Sequence, residues 1–346
     1  MDAKKTDWVG LLGGNERRGG SSAGRRESPG ELVWRVALPE AVRSSPVVSL
    51  GVVYMTCRDG RLYAFDARTG RERWTFKADA PLHSTPAIPD HLVLFGCDDG
   101  AVYGVDRTSG RLQWKAQSEG AIWTSPTVHG DSVYFGTSAG IFAAADRQSG
   151  KVRWSRQFEG QIHSTADLTE GVVYFGCSDG RVHALDAATG KDVWVHETGD
   201  SVTASPAVVD GVVLIGSEDC VFYALDAASG APRWRFETGL GISSSAAVLN
   251  GTVFFGGKDG FLYALAVSDG REIWRSESLR QITAAPLAGT SFVCIQSFGG
   301  TTLACDAGTG KVLWRASLGG SLGSTPALTE STVYLATHPG VLYAVS

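Results

Sequence analysis

Tryptophan recurs along this chain at a fixed interval. Trp34, Trp74, Trp114, Trp154, Trp194, Trp234, Trp274 and Trp314 are each 40 residues apart, and of the ten tryptophans only Trp8 and Trp123 stand outside the series. A period of this length marks a propeller or solenoid, whose units are too small to bury an apolar face alone and must stack on their neighbours. Other residues keep the same step. Gly70, Gly110, Gly150, Gly190, Gly230, Gly270 and Gly310 follow it, and so do Pro46, Pro86, Pro126, Pro206, Pro286 and Pro326, with Ala166 and Ala246 as departures.

One period contains four short segments of alternating apolar residues. In the first copy, SSPVVSL and GVVYMTC are followed by the turn RDG. Then come RLYAFDA, the turn RTG and RERWTF. Alternation broken by glycine-containing turns predicts antiparallel strands, and no window carries a helical apolar period. Eight units of four strands predict an all-β fold, an eight-bladed β-propeller. The last copy stops after its third strand, and ELVWRVAL around Trp34 supplies the missing fourth. Pairing the two ends would seal the ring and remove an exposed edge. The propeller is therefore expected over residues 31–346, preceded by a flexible tail at 1–30 that is rich in Gly, Ser and Arg.

Composition narrows the function. The net charge is −5, and residues 1–30 carry more basic than acidic groups, so the propeller itself is more acidic than the whole. A nucleic-acid partner is disfavoured, because phosphate binding needs a basic face. No apolar run reaches the roughly 18 residues of a membrane span. Residues 1–30 hold no secretory leader, so the cytoplasm is the expected compartment, or the periplasm if a leader preceded them. A monomer is expected. The six cysteines form no C-x-x-C pair, which argues against a disulfide framework. Cys57, Cys97 and Cys177 share one repeat position with Thr137, Ser217 and Gly257, as expected of a small, semi-buried slot.

The segments AFDARTGRERW, ALDAATGKDVW and ALDAASGAPRW resemble the tryptophan-docking motif of PQQ-like (quinoprotein-type) propeller repeats, and the SSP and DG-x-L-Y elements match as well. The resemblance implies that each Trp packs between blades. It also implies that Asp66, Asp106, Asp146, Asp186, Asp226 and Asp306 cap the turns, with a looser turn where Ala266 replaces the Asp. That family includes quinone-dependent dehydrogenases, the outer-membrane assembly scaffold BamB, and sensor domains. The dehydrogenases carry adjacent cysteines and calcium ligands that this chain lacks, so the resemblance points to the quinone-free branch and to no cofactor.

Positions that carry structure should repeat, whereas a site must differ from blade to blade. The residue before each SSP element reads Arg43, His83, Trp123, His163, Thr203, Ser243, Thr283, Gly323. Four neighbouring blades thus offer large polar or aromatic groups to the channel mouth and four offer small ones. The turn between the second and third strands should open on the same face. Its variable residues are Arg58, Asp98, Ser138, Ser178, Glu218, Lys258, Phe298 and His338. This pattern predicts a small molecule or peptide bound at the mouth of the channel, with Trp123, Arg58, Asp98, Glu218, Lys258, Phe298 and His338 as contacts. A cofactor-independent enzyme is the alternative, with His83 and His163 as acid and base and Arg43 steadying an anion. A protein-interaction scaffold working through the rim is a third reading. His83 and His163 with Asp98 or Asp99 lack close ligand spacing, so no metal is expected there. His183 stands where other copies have Tyr63, Tyr223, Tyr263 and Tyr343, and carries less functional signal.

Overall fold

The computed structural model describes residues 31–317, 324–329 and 332–345. The expected tail at 1–30 and the register residue Gly323 lie outside them. The described strands form eight antiparallel sheets in chain order around a ring. Blade one runs outward from Val47–Ser49 through Val52–Cys57 and Arg61–Asp66 to Glu72–Lys77. The second and third strands are buried on both faces, while the fourth alternates between exposed and half-buried. The core therefore lies between blades. Each apolar cluster draws on two neighbouring blades, as where Tyr54 and Leu62 of blade one pack with Phe95 and Tyr103 of blade two.

The ring closes as its ends predict. Leu32–Ala37 pairs with Val341–Val345, placing Trp34 opposite Ala344, and becomes the outer strand of blade eight. Blade two departs from four full strands. Its innermost segment is reduced to a single bridge, Ala87 to Leu94. Pro89 stands where Ser49 pairs with Val52 in blade one, and proline has no N–H to give the ladder.

The tryptophans dock as the motif implies. Trp154 donates its indole N–H to the Ala187 carbonyl of the next blade at 3.0 Å, and Trp194 does the same to Ala227 at 2.8 Å. The Trp154 ring lies on Gly190, where an added Cβ would sit 2.7 Å from Cε3, and Gly190 has φ +70°. Close approach and left-handed backbone together demand glycine there. The preceding Asp186 accepts the Thr189 N–H at 2.8 Å and its hydroxyl at 2.6 Å, closing the turn. Copy six lacks that carboxylate at Ala266, yet Gly270 keeps φ +72° and still bonds the Ala266 carbonyl at 2.9 Å. Its turn is not looser, because the backbone bond is kept and the Asp269 carboxylate accepts the Arg271 N–H at 3.1 Å. The Cys57, Cys97 and Cys177 slot is fully buried rather than semi-buried.

The SSP element has two jobs. Its first hydroxyl clips the strand beside it, as where the Gly96 N–H donates to Ser84 Oγ at 2.7 Å. Its second hydroxyl links blades around the channel. Thr325 N donates to Ser45 Oγ at 2.9 Å, Ser45 N to Thr85 Oγ1 at 3.0 Å and Ser125 N to Thr165 Oγ1 at 3.0 Å. Thr165 N to Ser205 Oγ and Ser205 N to Ser245 Oγ continue the belt. The residue just before each clip is thereby held at the channel mouth.

Candidate functional site

Arg43, Arg58, His83, Asp98 and Trp123 line one cavity of about 450 Å³. Both repeat registers picked out in the sequence meet there. Asp98 organises the group. Its Oδ1 accepts the Trp123 indole N–H at 2.8 Å, and its Oδ2 faces His83 Nε2 at 3.3 Å. The Trp123 ring is 41% exposed. His163 stacks on it with ring centres 5.1 Å apart and planes 14° from parallel, and His83 meets it edge-on at 6.3 Å. The His163 Nε2 also meets Gln161 Oε1 at 2.8 Å. Three consecutive blades thus line the cavity with guanidinium, imidazole and indole, and His163 of the fourth joins them through its stack on Trp123.

The charges are unequal across this wall. Burial holds the His83 imidazole below its ordinary pKa; Asp98 opposes that shift, and Arg43 and Arg58 add to it. Burial also lowers His163. Both shifts favour the neutral imidazole. Among the described residues, Arg43 and Arg58 are paired with no carboxylate, whereas Arg73, Arg153 and Arg233 each hold the cap aspartate of their own blade. An electropositive edge therefore faces an aromatic face across the cavity.

The other sequence candidates sit apart from this group. Glu218 is held by Lys258 at 2.7 Å and by the Thr203 hydroxyl at 3.3 Å, so those charges neutralise each other on blades five and six. Phe298 is 55% exposed on blade seven. His338 contributes a backbone carbonyl that accepts the Val42 N–H at 3.3 Å. Sequence reasoning passed over one cluster, Cys177, Asp179 and His183, whose possible ligand atoms lie within 4.8 Å of one another. Its only trace in the sequence is the histidine at a tyrosine position.

Blade count, ring closure and docking tryptophans define a closed propeller of PQQ-like repeats. The chain belongs to the family described as outer membrane protein assembly factor BamB, whose model matches residues 24–173 and 159–346. The solved structure of BamB from Moraxella catarrhalis superposes with a TM-score of 0.80 over 91% of this chain and 98% of that one, at 19% identity. A europium-containing methanol dehydrogenase superposes at 0.83 over 99% of this chain and 89% of that one, at 13% identity. At such identities the likeness is one of fold. A serine/threonine-protein kinase AfsK from Streptomyces griseus is 43% identical over 63 residues, which span 17% of this chain and 8% of that protein. No helix among the described residues is long and apolar enough to cross a membrane.

Proposed function

We propose that this propeller is a binding module whose channel mouth takes an anionic small molecule or peptide with a flat apolar part. One observation carries the reading. Arg43 and Arg58 are exposed, unpaired among the described residues, and share a cavity with the half-exposed Trp123 indole. Guanidinium groups bind carboxylate and phosphate oxygens through a planar fork. An indole already fixed by Asp98 and backed by His163 offers a rigid stacking face at little entropic cost.

The test is calorimetric titration with aromatic carboxylates and short acidic peptides. Binders should weaken at least tenfold in the Arg43→Ala, Arg58→Ala double variant and in Trp123→Ala. Thr203→Ala, in the same register on the opposite wall, should leave them unchanged. Each variant alters exposed groups and should move stability by no more than about 1 kcal/mol. Binders that hold the double variant as tightly as the parent would refute the proposal. A protein partner on the rim is the second reading, supported by the family's description and by exposed Phe298. Association lost in Phe298→Ala but kept in the arginine double variant would favour it.

A further inference from the structure

Blade four departs from its neighbours just beneath the rim. In blades one and two the register reads Cys57, Asp59, Tyr63 and Cys97, Asp99, Tyr103, and each tyrosine hydroxyl donates to its aspartate at 2.6 Å. Blades five and six keep the pair as Tyr223 with Asp219 and Tyr263 with Asp259, but hold Ser217 and Gly257 in place of the cysteine. Blade four alone combines the cysteine with a histidine. His183 Nε2 lies 3.1 Å from Asp179 Oδ2, and both side chains are about 95% buried, at 6% and 5% exposure.

The exchange has a cost that the tyrosine copies avoid. A phenol needs one partner and has it in the aspartate. An imidazole has two nitrogens, and His183 Nδ1 is buried with no partner. The ring cannot turn to water, because it is stacked on Phe175 at 5.2 Å and met edge-on by Phe158 at 4.7 Å. A buried unpaired nitrogen at a position where the repeat supplies a satisfied phenol calls for a functional reason.

We propose that Cys177, Asp179 and His183 form a binding site for a divalent transition-metal ion of the zinc class. The donor set is a thiol, a carboxylate and an imidazole, the three ligand types zinc accepts. Two ligands about 2.0 Å from a tetrahedral metal lie roughly 3.3 Å apart, close to the 3.1 Å between His183 and Asp179. The three ligand atoms lie within 4.8 Å, so closing the set on a tetrahedral ion draws the widest pair in by about 1 Å, and the fourth position is left for a water. The metal takes the place of the hydrogen bond between His183 Nε2 and Asp179, and the ring proton moves to Nδ1. The Cys177 thiol gives up its proton to solvent as the metal binds. Thiolate and carboxylate together then balance the charge of the ion. This departs from the expectation of no metal, which weighed only the channel histidines.

The repeat supplies variants compatible with folding. His183→Tyr restores the residue of blades one, two, five and six, and Cys177→Ser places the residue that blade five uses. The full chain would be freed of metal with a chelator and titrated with Co²⁺ alone, following the near-ultraviolet thiolate-to-cobalt band, and then with Zn²⁺ to displace it. One equivalent of cobalt should generate the band and zinc should remove it. Cys177→Ser should abolish the band, and His183→Tyr should bind the metal at least 100-fold more weakly. Absence of the band in the parent chain would overturn the proposal. So would an undiminished band in a Cys177→Ser variant that retains the parent circular dichroism spectrum, since that places the thiolate elsewhere, or undiminished affinity in a folded His183→Tyr, since that removes the imidazole from the ligand set.

Discussion

Replacing Trp194 with alanine should cost about 3–5 kcal/mol, the usual loss for a large buried aromatic. The residue is 8% exposed, packs with Tyr174, Val213 and Leu225, and lies on Gly230 of the next blade, where an added Cβ would sit 2.7 Å from its ring. Its hydrogen bond adds little beyond that. The Ala227 carbonyl that accepts the indole N–H at 2.8 Å also accepts the Tyr174 hydroxyl at 3.0 Å. Losing the tryptophan therefore strands no buried acceptor, and the further penalty of about 1–3 kcal/mol for an unsatisfied group does not arise. Trp194→Phe separates the two contributions. It keeps a ring on Gly230 and removes only the donor, so it should cost less than the alanine variant. Urea unfolding followed by circular dichroism reads both values from the midpoint at a common slope. Ligand binding at the channel mouth should be unchanged in the folded variants. A loss below about 1 kcal/mol for Trp194→Ala would match a surface substitution and refute the account of how the blades hold together.

Gly104→Ala should stabilise the chain by about 1 kcal/mol, because a strand glycine is replaced and a buried donor is satisfied. Trp114 has sunk onto Gly104, where a Cβ would lie 2.4 Å from its Cε2, and its Nε1 has no partner. The alanine present at this position in blades one, three and four should lift the ring toward the Arg147 carbonyl, and a lowered unfolding midpoint would show that the indole has nowhere to move. Removing the chain through Leu38 should strip Val341–Val345 of its partner strand. A lower midpoint and concentration-dependent association through the bared edge are expected, whereas unchanged melting would contradict closure.

The fold was legible because packing between blades imposes the same demands at every interface. A tryptophan needs a glycine to lie on, so both recur at 40 residues. The channel residues were legible as departures from that rule, since a register read down eight copies isolates Arg43, His83, Trp123 and His163 without coordinates. How these residues pair was not legible. Whether Trp123 reaches Asp98 of the neighbouring blade, or Glu218 reaches Lys258, depends on side-chain length and rotamer across an interface, and spacing along the chain carries neither. The proline that thins blade two was visible at position 89, but its effect depends on the pairing partner that Ser49 reveals in blade one. The looser turn expected at Ala266 failed because the backbone bond is kept there and Asp269 supplies a carboxylate of its own.

Departures from the repeat differ in what they do to the molecule, and that difference separates two kinds of site. At the channel mouth the substitutions are exposed or partly so, and each polar group can turn to water or to a neighbour, so they burden the fold little. Inside the blades a departure leaves a mark. Trp114 Nε1 is orphaned over Gly104, and His183 Nδ1 where tyrosine is usual. Gln296 with both amide atoms and Thr302 with its hydroxyl are orphaned opposite each other in blade seven, where other copies place small residues such as glycine against apolar ones. Each such atom carries a desolvation penalty of about 1–3 kcal/mol. A closed ring of eight similar interfaces can tolerate a few of these. Selection for stability alone would remove them, because the neighbouring copies already hold the better residue. Conversion of the interior departures to the repeat's own residues should therefore raise stability everywhere, and should cost function only where the departure serves one. Gly104→Ala and His183→Tyr form the contrasting pair: both should stabilise, and only the second should abolish metal binding. Loss of metal binding in both would mean that the cobalt site depends on blade packing in general and not on the ligand set of blade four.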